Sequence, residues 1–138
     1  MEALGTSFME NAGATAKDID ISGGVTGIYF SAHWCPPCRA FTPQLAEVYK
    51  SWKSSGKNIN IIFCSFDQSD AEFKDYFKDM PWFAIPHGDP RIQKLSDKYE
   101  VKGIPALIIL DSSGNIITKD GRGDVSSKKE GAFDGWTS

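Results

Sequence analysis

With 138 residues, 41% of them hydrophobic, the chain has the bulk to bury a sizeable core without disulfide or metal staples. Its 15 Lys and Arg against 18 Asp and Glu leave a net charge of −3 and no basic stripe, which argues against a nucleic-acid partner, and no apolar run approaches the length of a membrane span. Three cysteines, an odd number with two of them in a Cys-x-x-Cys, fit a reducing compartment better than a structural disulfide framework.

The start, Met1-Glu2-Ala3-Leu4-Gly5, lacks the basic and apolar regions of a secretory signal, so the expected location is the cytosol, with nuclear access allowed by size. Thr6 to Glu10 and Lys17 to Ile21 carry alternating apolar positions around Asn11-Ala12-Gly13. That pattern predicts a small N-terminal β-hairpin or two short edge strands, the alternative being a loosely ordered leader over residues 1–18. Val25 to Ala32 and Ile59 to Phe66 are apolar at both alternating sets of positions, as in strands covered on both faces. Between them Phe41, Leu45, Val48, Tyr49 and Trp52 mark a helix from Pro36 to Ser54, stopped at Gly56, so the unit reads as a βαβ with parallel strands. Pro43 lies inside that helix and removes one backbone hydrogen bond, which predicts a bend.

Ser69 with Glu72 is a capping box, and Phe73 and Phe77 supply the apolar face of a helix from Ser69 to about Lys78. Asp89-Pro90 opens another, with Ile92, Leu95 and Tyr99 inward. Ala106 to Leu110, the turn residues Asp111 to Asn115, and Ile116 to Lys119 predict two antiparallel strands. The last stretch is charged and contains glycine, with little apolar stripe. It predicts an irregular tail over 123–138, at most a short helix, anchored by Phe133 or Trp136, with Arg122-Gly123-Asp124 a polar turn. The whole is one α/β domain over 1–138, a three-layer sandwich around a mixed central sheet with flanking helices, expected as a monomer.

Trp34-Cys35-Pro36-Pro37-Cys38 sits where the first long strand gives way to the helix. In the first helical turn residues i and i+3 share a face, so Cys35 and Cys38 can close a small disulfide ring. The free N–H groups and positive dipole end at the helix start favour a thiolate on Cys35, while burial one turn in keeps Cys38 a neutral thiol. Neither proline has an N–H, so the amides of Cys38 and Arg39 are the donors expected at the Cys35 sulfur. Cys35 reads as the nucleophile and Cys38 as the resolving thiol.

The run Tyr29-Phe30-Ser31-Ala32-His33-Trp34-Cys35-Pro36-Pro37-Cys38-Arg39, then Phe41-Thr42-Pro43, Met80-Pro81-Trp82 and Gly103-Ile104-Pro105, resembles the tryparedoxin and nucleoredoxin branch of the thioredoxin superfamily. The resemblance implies a thioredoxin-like fold and a cis Ile104-Pro105 peptide facing the dithiol, where the backbone of Ile104 can pair with an extended substrate. It also implies a protein-disulfide reductase with no bound cofactor, recharged by an external dithiol or a reductase, and acting on peroxidases or regulatory proteins. Trp34 is expected as a half-exposed wall beside Cys35, and Trp82 as a weaker candidate for the same groove, the alternative being a place in the core. His33 is expected at the surface and pointing away, Arg39 on the helix surface, and Cys64 as an inert core residue. Where thioredoxins carry a buried carboxylate six residues before the nucleophile, this chain has Tyr29, and Asp67 is conceivable as a substitute base, though a turn role suits it better. A redox-gated binding module with little turnover is the alternative function. A zinc site from Cys35, Cys38, Cys64 and a histidine is disfavoured for want of a second Cys-x-x-Cys.

Overall fold

The computed structural model describes residues 8–9, 15–16, 24–57, 59–78, 80–85, 87–111 and 113–137. In chain order these form β1 (Phe8–Met9), β2 (Thr15–Ala16), β3 (Val25–Ser31), α1 (Pro36–Ser54), β4 (Ile59–Ser65), α2 (Asp70–Phe77), β5 (Phe83–Ala84), α3 (Pro90–Lys98), β6 (Ala106–Leu110), β7 (Ile116–Thr118) and α4 (Gly121–Lys128). A 3₁₀ turn over Lys129–Gly131 and α5 (Ala132–Thr137) complete them.

Among the described residues one mixed sheet runs in the order β2-β1-β5-β4-β3-β6-β7. β3 is an interior strand, parallel to β4 in register Val25 with Ile59 through Ser31 with Ser65, and antiparallel to β6. β4 is parallel to β5, and β7 and the β1–β2 hairpin close the two edges in antiparallel pairing. The hairpin anticipated near the N-terminus is present, but its second strand falls at Thr15–Ala16; the stretch Lys17 to Ile21, where the alternation placed it, lies outside the described residues.

Strand alternation sends the core to both faces. Tyr29, Ile59, Ile61, Phe63, Leu107 and Ile109 point to one side, where α1 and α2 cover them with Phe41, Leu45, Trp52, Phe73 and Phe77. Ile28, Phe30, Ile62, Cys64 and Ile108 point to the other, under Ile92 and Leu95 of α3 and Tyr99 at its C-cap. The predicted caps hold: Ser69 accepts from the Glu72 amide and Asp89 from the Arg91 amide.

The end of the chain differs from the irregular tail its sequence predicts. Residues 121–137 are almost wholly helical, and Val125, Ala132, Phe133 and Trp136 are buried in the α1-side core. Trp52 receives the rings of Phe133 and Trp136, with centroids at 6.0 and 5.5 Å. Arg122-Gly123-Asp124 is the first turn of α4 and not a loop: Asp120 accepts from the Gly123 amide, and a Cβ at Gly123 would lie within 2.5 Å of that carboxylate. Gly121 lets α4 close on β6, since a Cβ there would come within 2.9 Å of the Leu107 and Ile109 side chains. Packing thus overrides a poor helical sequence.

Candidate active site

β3 ends at Ser31, and a short turn over Ala32 to Trp34 delivers Cys35 to the N-cap of α1. Its amide donates to the Ala32 carbonyl at 3.2 Å, and Pro36 and Pro37 take the first two helical positions, where a missing N–H costs nothing. The Cys38 amide donates to the Cys35 sulfur at 3.4 Å. The Arg39 amide does not: it donates at 3.0 Å to the Cys35 carbonyl as an ordinary helical bond, which leaves the sulfur one amide donor where the sequence suggested two. On its other side the Cys35 thiol faces the carbonyl of Ile104, 3.9 Å away, in the loop whose Ile104-Pro105 peptide is cis.

Both cysteines are free thiols packed with Ala32, Phe66 and Ile104. Cys35 keeps 5% of its surface open and Cys38 none. Burial first, and then the hydrogen bond to Cys35, push the Cys38 thiol up to about 11, against the opposing pull of a hydrogen bond from Ser31. Trp34 is 51% exposed, and its Nε1–H donates to the Phe66 carbonyl at 3.0 Å, so the indole stands as a fixed apolar surface next to Cys35.

Asp67 holds this turn in place. One carboxylate oxygen accepts from the His33 amide at 2.6 Å and the other from the Ser65 hydroxyl at 2.6 Å, while His87 Nε2 meets the Asp67 carbonyl at 2.8 Å. Both oxygens of Asp67 are thus engaged in holding the turn, the role its sequence position favours. His33 itself is half-buried, stacked on Tyr76 at 5.0 Å between centroids, with Nδ1 3.7 Å from Asp75. Arg39 is exposed.

The place of the missing carboxylate is filled by hydroxyls. Tyr29 OH pairs with Thr42 Oγ1 at 2.6 Å, Thr42 Oγ1 with Tyr76 OH, and Tyr76 OH with Ser31 Oγ at 2.8 Å. Sequence reasoning missed this chain, although its signals exist: Tyr29 and Ser31 share a strand face, and Cys38 and Thr42 stand one turn apart on α1. Only the fold brings Tyr76 to them. A cleft of about 470 Å³, lined among others by His33, Arg39, Thr42, Pro43 and Tyr76, opens on this flank of α1 and not over Cys35.

Trp82 takes the core alternative and not the groove. It is 2% exposed and packed edge-on against Tyr29 and Tyr49 at 5.9 and 5.7 Å, inside the α1-side core and away from the groove. Its Nε1–H has no hydrogen-bond partner among the described residues. Cys64 is fully buried on the α3 side, where burial pushes its thiol far up. Among the described residues no three His, Cys, Asp or Glu side chains group as metal ligands, and no helix is long and apolar enough to cross a membrane.

A thioredoxin-like family model matches residues 23–116. Human nucleoredoxin is 42% identical over 130 residues, which is 94% of this chain and 30% of that protein, so the chain spans about a third of the curated relative's length. Native tryparedoxin I from Crithidia fasciculata superposes with a TM-score of 0.86 at 37% identity, covering 94% of this chain and 92% of the other. A thioredoxin from Wuchereria bancrofti does so with a TM-score of 0.81 at 40% identity, over 96% and 94%.

Proposed function

The chain belongs to the thioredoxin-like family, in the branch of the nucleoredoxins and tryparedoxins, and we propose that it is a thiol–disulfide oxidoreductase that reduces protein disulfides through Cys35 and Cys38. The observation that carries this reading is the unequal pair of free thiols at the start of α1: Cys35 reaches the surface with an amide aimed at its sulfur, and Cys38 is sealed one turn below and held neutral.

Thiolate Cys35 attacks one sulfur of the substrate disulfide and forms a mixed disulfide, expelling the other substrate sulfur as a thiolate. Cys38 then gives up its proton and attacks Cys35, the bond to substrate breaks, and the Cys35–Cys38 disulfide holds the oxidising equivalents until an external dithiol or a reductase removes them. The substrate docks across Trp34, Pro36 and Pro37, which are exposed, and the half-buried Ile104, a surface suited to an extended peptide carrying apolar residues beside its cystine. A protein working this way belongs in a reducing compartment such as the cytosol.

Reduction of insulin with dithiothreitol as electron supply tests the proposal. The wild type turns over repeatedly, Cys35→Ser loses activity entirely, and Cys38→Ser falls at least a hundredfold. One stoichiometric exchange without turnover contradicts it and points to a binding switch.

A further inference from the structure

The proposed cycle leaves one proton without a carrier. Burial and the hydrogen bond to Cys35 keep the Cys38 thiol protonated at pH 7, so Cys38 has to shed its proton as it closes on Cys35. Asp67 is engaged by His33 and Ser65, and β3 offers Tyr29 where a carboxylate would stand.

We propose that Ser31 and Tyr76 form a hydroxyl relay that takes the Cys38 proton to the cleft on the flank of α1, with Thr42 and Tyr29 holding the relay's far side in place. The proposal rests on the oxidoreductase reading and supplies its missing step. Ser31 Oγ is 2.8 Å from Tyr76 OH, and in each bond of the chain either oxygen can donate, so a proton can pass in both directions without a side chain moving. The Ser31 hydroxyl also acts on the Cys38 thiol, opposing the effect of its burial, and once Cys35 is tied to substrate its own hold on that proton weakens. Tyr76 and Thr42 line the cleft, which is where the relay meets water. Tyr29 is fully buried, with its phenol pushed up by that burial, and closes the inner end.

Cys38 Sγ passes its proton to Ser31 Oγ as its electron pair forms the bond to Cys35 Sγ; Ser31 passes its own hydroxyl proton to Tyr76, and Tyr76 passes its own to water in the cleft. The substrate sulfur leaves with the electrons of the broken bond and is protonated from solvent. Two electrons move to the substrate, and no other oxidant or reductant takes part. When an external dithiol recharges the protein, the same hydroxyls run in reverse. The titratable and charged groups facing these hydroxyls are Cys38 within the core, and His33, Arg39, Glu47 and Lys50 along the cleft.

The test is rapid mixing of the reduced protein with an aromatic disulfide whose thiolate is coloured. Attack by Cys35 releases one equivalent and closure by Cys38 a second, so the two steps are read separately. In Tyr76→Phe and in Ser31→Ala the first release stays within twofold of wild type. The second slows at least tenfold at pH 6 to 7, and its deficit shrinks as pH rises and hydroxide takes the proton, or when imidazole is added. A second release with wild-type rate and pH profile in Tyr76→Phe, which loses one oxygen and keeps the ring, overturns the relay. Equal slowing of both releases, unmoved by pH or imidazole, assigns these residues to packing and overturns it too. Absence of the first release in the wild-type protein strikes instead at Cys35 as nucleophile.

Discussion

The His33 amide donates to Asp67, and through that bond the turn bearing Trp34 and Cys35 is tied to the end of β4. Asp67→Ala strips a charged acceptor from a half-buried N–H, which costs about 1 to 3 kcal/mol and frees the turn to wander from the Ile104 loop. Urea denaturation of this variant shows a lower midpoint, and insulin reduction slows several-fold; Asp67→Asn, which keeps one oxygen acceptor, recovers most of both losses. Cys35, Cys38 and the exposed Trp34 are legible from local spacing alone, because a first helical turn fixes who stands beside whom. Trp82 is not, since Pro81-Trp82 says nothing about which side of the sheet the indole enters, and it lies between Tyr29 and Tyr49 in the core. The Ser31–Tyr76 contact joins residues 45 apart and exists only once α2 lies on β3.

At the scale of elements, the pieces whose ends carry a side-chain cap match their sequence signals closely, Ser69 for α2 and Asp89 for α3. The long helix α1 runs on through Pro43, whose ring lines the flanking cleft. The C-terminal helices are hidden in the sequence because Gly131 and Gly135 fall within this stretch and the buried side chains of Val125, Ala132, Phe133 and Trp136 are spread over two short segments. What orders them is the surface of α1: Trp52 accepts Phe133 and Trp136, and Trp136 Nε1–H donates to Asp124 at 3.0 Å, locking α5 back onto α4. Trp136→Ala therefore destabilises the folded protein by about 3 kcal/mol or more, seen as a shifted denaturant midpoint, since it removes a buried indole and leaves a cavity against Trp52. A change under a few tenths of a kcal/mol would mean that α5 is not packed as described.

Over the whole molecule, three stretches far apart in sequence converge on one sulfur: the turn after β3 with the start of α1, the loop after β4 through Phe66 and Asp67, and Ile104 before β6. The sheet brings them together at the carboxyl ends of β3 and β4, and both core faces hold them there. This convergence leaves Cys35 at the rim and Cys38 beneath it, and under the proposed function Cys35 is the sulfur that first bonds substrate. The direct measurement is trapping with a peptide disulfide in the Cys38→Ser protein, read by mass spectrometry of the digested adduct. One stable mixed disulfide per molecule is expected, on Cys35 and absent from the Cys35→Ser, Cys38→Ser double variant; an adduct on Cys64, or one that persists in the double variant, shows that Cys35 is not the attacking sulfur.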